Sequence, residues 1–355
     1  MSSMVDSSMA NSKRQVSSGA NLPTASLSID LDNQWAYLRA AGKEDWAHAP
    51  SYFDFVIDRI VSVIRSHQLP LTVFVVGRDC LNEDDAHHIA SLKRIQDVEF
   101  ANHSLDHLPW MHTLSDSEVE HQITQAHQLI EDCGGESPIG FRGPGFSCPP
   151  EVIRILERLN YRYDASSFPT SMAPIARAVF LARTNLKGKE LERAKKLYGG
   201  FASMRKPNQP HEMQGSPLVE VPVTTMPLLR TPIHFSYLMF LASFSELAAK
   251  AYFQMTLKMC KFTGTSPSLL LHPPDFMGAD DSHDLGHMPG MKMTASKKLA
   301  FMHWALKLYS RHFDVQTIGS WVEDHFRKHV DASEKVSPGQ GRPAFHEPEP
   351  ATISS

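Results

Sequence analysis

The stretch Ser26–Asp32, SLSIDLD, is the first strand-like segment of the chain and also carries the first reactive side chains. Its short run of apolar and small residues is typical of a buried β-strand, and Asp30 and Asp32 lie at its carboxyl end. Because residues i and i+2 of a strand point to the same face, the two carboxylates are expected to converge. Buried carboxylates are costly unless they are paired or bound to a metal. The segment therefore predicts a buried strand that ends in a polar site.

Seven further segments show a similar strand-like pattern, and amphipathic stretches lie between several of them. The other predicted strands are Leu71–Val76, Val98–Asn102, Ile139–Arg142, Tyr161–Asp164, Leu218–Val223, Ser268–His272 and Asp314–Ile318. The predicted helices include Tyr52–His67, Ser115–Cys133 and Pro150–Asn160. Alternating strands and helices indicate either a (β/α) barrel or an open doubly wound sheet. Eight strands over about 290 residues favour an α/β fold of the distorted (β/α) barrel type.

The predicted barrel domain spans residues 25–330, between two segments of low apolar content. Residues 1–24 are rich in Ser and Asn, and residues 331–355 carry Pro, Gly, Ser and Glu, so both ends are predicted to be disordered. Of the 355 residues 42% are hydrophobic, which is enough for a sizeable core. The four cysteines form no CxxC motif, which argues against a disulfide framework or a thiolate zinc site.

Charge and hydropathy limit the partners and the compartment. A formal net charge of −4 argues against a general nucleic-acid binder. No window reaches the roughly 18 consecutive apolar residues of a membrane helix. No run of about 7–15 apolar residues near the start marks a secretory signal. We therefore expect a cytoplasmic protein.

The segment Thr170–Gln214 interrupts the alternation of strands and helices. It is rich in Lys and Arg, and no strand is expected in it. Its roughly 45 residues exceed a normal connection between a strand and a helix, so we interpret it as a helical insertion. Two interpretations of this insertion are open. It is either a solvated helical excursion, or a substrate cover or surface that meets anionic head groups.

The chain has 19 histidines. Two histidines four positions apart on one face of a helix can bind the same metal ion. Three such pairs occur, His103/His107, His283/His287 and His325/His329. The last pair is predicted to lie on a surface helix, and the middle one in an Asp- and Gly-rich loop typical of turns. Only the first pair follows a predicted strand, at the end where barrels collect catalytic side chains. One Asp with two His makes a catalytic zinc-type site, which leaves the second Asp as a general base.

Two further predicted strands end in reactive side chains. Arg142 lies in FRGPGF, residues 141–146, and His272 ends LLLH, residues 269–272. Taken alone, a histidine at the end of a buried strand is more often a core residue with satisfied hydrogen bonds than a catalytic one. The two strands add one cation and one titratable ring to the candidate site.

Five motifs in order resemble those of the polysaccharide deacetylase superfamily, also called NodB-homology or carbohydrate esterase family 4. They are SIDLDN (28–33), HSLDH (103–107), FRGPGF (141–146), DASSFP (164–169) and LLLH (269–272). The resemblance covers the chain from about Ser26 to Ile318 and implies the distorted barrel of that superfamily. It also implies an enzyme that hydrolyses carbon–nitrogen bonds other than peptide bonds.

The resemblance implies a divalent metal held by Asp32, His103 and His107, with Asp30 as the catalytic base. Zinc is the metal expected from these ligands, and cobalt, nickel or manganese also fit them. The family usually has adjacent aspartates, whereas Leu31 separates the two here. The roles of Asp30 and Asp32 as base and ligand therefore remain exchangeable.

The resemblance also gives roles to the other strand ends. Arg142 would hold Asp30 ionised, and His272 would be the general acid, its charged form supported by Asp164. Gly145 stands where the family usually has a Tyr, so that ring is not available to stack on a sugar.

The activity implied is removal of an N-acetyl or N-formyl group from an amino sugar in a glycan, a glycolipid or a nucleotide sugar. Because no export signal is recognised, a lipid-linked or nucleotide-linked sugar is favoured over a wall polymer. The basic insertion and the apolar stretch Pro232–Phe262 would then contact a membrane peripherally. Two alternatives stay open: an allantoinase-like hydrolase of a non-sugar linear amide, and a non-catalytic sugar-binding relative.

Overall fold

The computed structural model describes residues 22–184, 186–195 and 204–324. Of the tail predicted to be disordered at residues 1–24, residues 1–21 lie outside the described ones, and Thr24 begins the first strand. The tail 331–355 and the pair His325/His329 also lie outside the described residues. The strands within them are β1 (Thr24–Leu31), β2 (Leu71–Val75), β3 (Val98–Asn102), β4 (Gly140–Phe141), β5 (Tyr163–Asp164), β6 (His211–Glu212), β7 (Val219–Glu220), β8 (Ser268–Leu271) and β9 (Asp314–Gln316). Each of the eight predicted strands overlaps one of these, with bounds shifted by a few residues at most.

The strands form one curved sheet in the order β6-β7-β5-β4-β3-β2-β1-β8, and β9 pairs with the start of β1. Every pairing is parallel except β6 with β7. The two ends of the sheet approach each other where the segment after β7 meets β8. There the Thr224 N–H donates to the Ser268 carbonyl at 3.1 Å, and the Ser268 N–H donates to the Thr224 hydroxyl at 2.8 Å. The sheet is therefore a distorted barrel, as predicted.

Helices cover the outside of the sheet. Within the described residues they are α1 (Gln34–Ala40), α2 (Phe53–Ser66), α3 (Glu83–Ala90), α4 (Asp116–Gly134), α5 (Pro150–Arg158), α6 (Ala173–Arg183), α7 (Gly188–Ala194), α8 (Phe235–Ala242), α9 (Glu246–Thr263) and α10 (Ala295–His312). Local sequence sets their ends. In α4, Ser115 and Glu118 form a capping box, and the helix stops at Gly135, whose φ of +74° suits glycine.

Side chains along β1 alternate between the two faces of the sheet, and this alternation directs Asp30 into the barrel. Leu27, Ile29 and Leu31 are fully buried on the face that packs against the helices. Ser28 and Asp30 point to the opposite face, into the barrel, where both accept hydrogen bonds from a buried arginine. The period of two therefore separates an apolar layer from a polar interior, as the i, i+2 rule predicts.

The insertion between β5 and β7 differs from the expectation at its end. It contains the two helices α6 and α7, as expected of a helical insertion, but residues 211–212 form β6. The prediction that Thr170–Gln214 holds no strand is therefore wrong. Gly215, with φ +77°, makes a turn that lets the Met213 N–H donate to the Leu218 carbonyl and closes a short hairpin. None of the described helices has the length and apolar content needed to cross a bilayer.

Candidate active site and metal centre

The carboxyl ends of four parallel strands bring the candidate residues together. Asp30 lies near the end of β1 and Asp32 just after it, while His103, Arg142 and His272 directly follow β3, β4 and β8. Because these strands are parallel neighbours, their carboxyl ends meet at one edge of the barrel. Residues separated by up to 242 positions in the sequence therefore line one small volume.

The two histidines of HSLDH lie in a turn and not on a helix face. His103 and His107 have no helical residue between them, and Ser104 and His107 adopt left-handed backbone with φ of +64° and +48°. The Asn102 side-chain oxygen accepts the Ser104 N–H at 2.8 Å and fixes the start of this turn. The expectation of a shared helix face is therefore wrong, although the turn still brings the two rings to 5.1 Å between centroids.

Asp32, His103 and His107 form a compact cluster of metal-ligating atoms. The Asp32 Oδ1 lies 3.2 Å from His107 Nε2 and 3.5 Å from His103 Nε2, and all three ligand atoms lie within 4.8 Å of one another. His103 Nδ1–H donates to the Arg142 carbonyl at 2.6 Å, which leaves the Nε2 lone pair facing the cluster. Among the described residues, these three side chains form the group of His, Cys, Asp or Glu whose ligand atoms lie close enough together to hold one metal ion.

The electrostatics of the cluster favour a cation. Burial lowers the pKa of His103 and lowers that of His107 well below its usual value, so both rings are neutral donors. Burial and the neighbouring Asp30 raise the pKa of Asp32 well above its usual value. The Asp32 Oδ1 is buried and accepts no hydrogen bond from the described residues. An orphaned buried carboxylate oxygen beside two neutral imidazoles fits a divalent cation, which would satisfy all three groups.

Asp30 is held by a buried arginine. Arg142 is fully buried and donates from Nη1 to Asp30 Oδ1 at 2.6 Å and to Ser28 Oγ at 3.1 Å. Its Nε donates to the Ala165 carbonyl at 3.0 Å, and its guanidinium lies 4.0 Å from the centre of the Phe74 ring. Burial alone would raise the pKa of Asp30, but the charge of Arg142, with help from neighbouring histidines, lowers it. Asp30 is therefore the carboxylate kept ionised without needing a metal.

His272 lies beside Asp30, because it directly follows β8, the strand that pairs with β1. Its Nε2 lies 3.8 Å from Asp30 Oδ2, and its Nδ1 is 3.2 Å from the Ser236 hydroxyl. The Asp275 carboxylate accepts the His272 backbone N–H at 2.8 Å and also interacts with the Ser236 hydroxyl. Asp275 is itself buried. The ring thus has one nitrogen directed into the site and the other beside the Ser236 hydroxyl, which in turn interacts with Asp275.

The expected partnership between Asp164 and His272 differs from the observed contacts. The Asp164 carboxylate accepts the Ser166 hydroxyl at 2.6 Å and lies beside Glu220 on the neighbouring strand β7. It therefore orders the loop after β5, while Ser236 and Asp275 occupy the place at His272 that was expected for Asp164. The physical reason is the turn at Pro273–Phe276, which folds back and caps the His272 N–H with Asp275.

Asp275 and Ser236 differ in how far sequence alone can place them near His272. Asp275 follows His272 by three positions, and the two prolines between them mark a tight turn, so a local pattern indicates this contact. Ser236 comes from the start of α8, 36 residues upstream of His272, and no local pattern connects the two.

Aromatic rings line the side of the site next to His272. Phe146 and Phe168 stack with centroids 4.9 Å apart, and His234 lies edge-on between Phe168 and His272 at 5.6 and 6.4 Å. Gly145 has φ +59°, and a Cβ there would lie 2.9 Å from the Pro109 Cβ. The turn therefore has no room for a side chain at the position where related motifs carry Tyr, and the ring of the next residue, Phe146, packs against Phe168.

The pair His283/His287 lies elsewhere and forms no such cluster in the described part of the chain. It occupies an irregular segment, where the Asp284 carbonyl lies 3.1 Å from His287 Nδ1. This agrees with the interpretation of the segment as a loop rich in turns.

Comparisons with known proteins were made on the whole chain. A family model described as polysaccharide deacetylase matches residues 50–163. A search of curated proteins returned no match. The fold is similar to that of a Mycobacterium smegmatis protein described as a polysaccharide deacetylase, with 17% sequence identity, a TM-score of 0.54, and coverage of 93% of this chain and 98% of that one.

A second similar structure is that of PuuE allantoinase, with 12% identity, a TM-score of 0.50, and coverage of 86% of this chain and 93% of that one. At these identities the likeness shows a shared fold, and it confirms the predicted distorted barrel. The family match adds the relationship in sequence. Residues 50–163 therefore match the polysaccharide deacetylase family in sequence, and the fold around them is similar to that of a solved structure described as a polysaccharide deacetylase.

Proposed function

We propose that this protein is a metal-dependent hydrolase that removes an acetyl or formyl group from the nitrogen of an amino sugar. The observation that carries the proposal is the separation of two carboxylates with different partners. Asp32 lies 3.2 Å from His107 in the ligand cluster, whereas Asp30 is bound by Arg142 at 2.6 Å. Asp32 is thus free to bind a metal, and Asp30 is free to act as a base.

The metal is proposed to be zinc, held by Asp32, His103 and His107, with cobalt, nickel or manganese as the alternatives. When bound, the ion would polarise the acyl oxygen and make a water molecule more acidic. In this assignment Asp30 is the base and Asp32 the ligand, because the guanidinium of Arg142 already occupies Asp30 Oδ1.

The chain's own groups supply the proton transfers. Asp30 takes a proton from the attacking water, whose oxygen forms a bond to the acyl carbon. His272, fixed through Nδ1 by Ser236, gives a proton from Nε2 to the nitrogen as the carbon–nitrogen bond breaks. The products are an amine and a carboxylic acid, and one water is consumed. His272 Nε2 and Asp30 Oδ2 lie 3.8 Å apart, so both side chains can reach the same substrate amide.

Release of the acid from a substrate panel tests this proposal. The panel contains N-acetylated and N-formylated amino sugars, free, nucleotide-linked and lipid-linked, together with linear amides such as allantoin. We expect acetate or formate release from at least one amino sugar, lost with a chelator and restored by zinc. Chelator-resistant turnover would contradict the metal assignment, and no release from any compound would support a non-catalytic relative.

A linear amide is the second candidate substrate. The observation that favours it is Gly145, which leaves no side chain at the position where a ring would stack on a sugar. In the same panel, turnover of linear amides without turnover of any amino sugar would assign the chain to this alternative. The cytoplasmic location stays a prediction.

A further inference from the structure

The loop between β7 and α8 forms a tight turn that displays two leucines to solvent. We name Pro227–Arg230 the leucine turn. Thr225 and Pro232 form an antiparallel bridge at its base, and the Met226 N–H donates to the Thr231 carbonyl at 2.8 Å. At its tip Leu228 is 80% exposed and Leu229 is 60% exposed.

The backbone of the leucine turn is strained for the residues that it carries. Leu228 has φ +69° and Arg230 has φ +57°, a region that favours Gly or Asn. A turn that only faced water would gain from glycine or asparagine at these positions. Two adjacent exposed leucines in a strained turn therefore indicate a surface with an apolar partner.

A second exposed apolar group lies beside the leucine turn, at the corner between α8 and α9. There Phe244 is 77% exposed and Leu247 is 80% exposed. The Tyr252 hydroxyl, on α9, donates to the Pro232 carbonyl at 2.8 Å and lies 2.7 Å from the Thr231 hydroxyl. These contacts place the base of the leucine turn against the N-terminal half of α9, the half that carries Leu247.

This surface borders the active site. The Ser171 hydroxyl donates to the Leu229 carbonyl at 3.0 Å, and Ser171 belongs to the loop that carries Phe168. His234, which follows the leucine turn, has its ring 6.4 Å from that of His272. The turn therefore lies at the catalytic edge of the barrel, where a substrate enters.

The basic insertion holds the leucine turn at both ends. The Asn208 side chain donates to the Thr225 carbonyl at 2.7 Å, and the Ser171 N–H donates to the Arg230 carbonyl at 2.8 Å. Residues 170–214 carry nine Lys and Arg against three Glu, while the whole chain has a net charge of −4. A segment with an excess of positive charge that is hydrogen-bonded to a turn with exposed leucines matches the chemistry of an anionic lipid surface, with acidic head groups above an apolar interior.

We propose that the leucine turn, Phe244 and Leu247 dock on an anionic lipid bilayer and present the active site to a substrate in that membrane. The inference rests on the proposed function only for the chemistry done there. Lipid binding is measured without turnover, so either can fail without the other.

Flotation of the full chain with vesicles tests the inference. The vesicles are phosphatidylcholine alone or phosphatidylcholine mixed with phosphatidylglycerol. The test variant is the double substitution Leu228→Ser/Leu229→Ser. The control is Phe262→Ser, which removes a 91% exposed ring from the opposite end of α9. Hydrolysis of a water-soluble amide by each variant reports that the fold and the active site are intact.

We expect the wild type and Phe262→Ser to float with the anionic vesicles and to stay at the bottom with the neutral ones. The double variant should lose about tenfold in bound fraction while keeping its hydrolysis of soluble substrate. Flotation of the double variant equal to wild type would overturn the inference, as would wild type that binds no vesicles. Equal binding to neutral vesicles would overturn the role of the basic insertion. A dimer that depends on Leu228 and Leu229, without vesicle binding, would assign the surface to a second copy instead.

Discussion

Arg142 connects the two functional halves of the site. Its guanidinium holds Asp30, and its carbonyl accepts the His103 Nδ1–H at 2.6 Å, so one residue orients both the proposed base and a proposed metal ligand. It is fully buried, and its charge is balanced by Asp30 and the Phe74 ring. Removing one member of such a buried pair leaves the other charge without a partner.

Arg142→Met therefore has a predicted effect on both activity and its pH dependence. Arg142 lowers the pKa of Asp30, so without it that pKa rises and the base is protonated at higher pH. We expect kcat/KM to fall about 100-fold and its acid limb to move to higher pH. The free energy of unfolding should fall by about 3 kcal/mol. A pH–rate profile and urea unfolding measure these changes.

Arg94→Met is the control for this prediction, because Arg94 pairs with Asp58 on the exposed surface. It should leave both the profile and the stability near wild type. An unchanged acid limb in Arg142→Met would show that Arg142 does not set the ionisation of Asp30.

Ser236 gives a second prediction at the scale of the residue. Its hydroxyl fixes His272 Nδ1, and a general acid matters for an amide but not for a good leaving group. We expect Ser236→Ala to lose about tenfold in amide hydrolysis while hydrolysis of 4-nitrophenyl acetate stays within about twofold of wild type. Ser236→Thr, which keeps the hydroxyl, should restore amide hydrolysis.

Ser243→Ala, at the other end of α8, is the matched control and should change neither reaction. Equal losses on the amide and the activated ester in Ser236→Ala would point to general damage to the site. That result would remove the role assigned to Ser236.

At the scale of the element, the turn after β3 matters more than any helix. Asn102 ends β3, and its side chain donates to the Ile123 carbonyl at 3.0 Å and to the Tyr161 hydroxyl at 2.9 Å. Its oxygen accepts the Ser104 N–H and starts the left-handed turn that carries His103 and His107. The geometry of the metal ligands thus depends on a residue that touches no ligand atom of the cluster.

Asn102→Leu should therefore weaken metal binding without removing a ligand. We expect about tenfold lower zinc affinity and a loss of about 2–3 kcal/mol in stability, because three hydrogen bonds disappear from a buried site. Zinc titration and urea unfolding measure both. Gln128→Leu, on the exposed face of α4, is the control. Wild-type zinc affinity in Asn102→Leu would contradict the account of the turn.

Periodicity predicted the elements well because buried parallel strands are short apolar runs that end at polar residues. The eight predicted strands and the catalytic edge follow from that rule, as with Ser26–Asp32. Long-range contacts were not predictable in the same way. The helix-face interpretation of His103 and His107 used spacing alone, whereas the backbone forms a turn with positive φ at Ser104 and His107.

The contacts of His272, the proposed general acid, were also not predictable from the spacing of motifs. Asp164 was expected at His272 from the order of motifs, yet it faces Ser166, while Ser236 contacts the ring and Asp275 accepts the His272 backbone N–H. Which side chain reaches a strand end depends on how the neighbouring loops fold back. That information lies in the three-dimensional structure and not in the spacing along the chain.

At the scale of the whole molecule, the barrel places its reactive groups at one edge and surrounds that edge with the insertion and the leucine turn. The limits of the domain, residues 25–330, stay a prediction. We propose that the cluster of Asp32, His103 and His107 binds a catalytic metal, and that the pair His283/His287 does not.

Metal content measured together with turnover tests this claim most directly. Wild type, Asp32→Ala, His107→Ala and the control His283→Ala are purified without added metal, loaded with zinc, and assayed for bound zinc and acid release. We predict one zinc per chain and full turnover for wild type and His283→Ala, and loss of both in Asp32→Ala and His107→Ala. Wild-type zinc content and turnover in Asp32→Ala or His107→Ala would contradict the account.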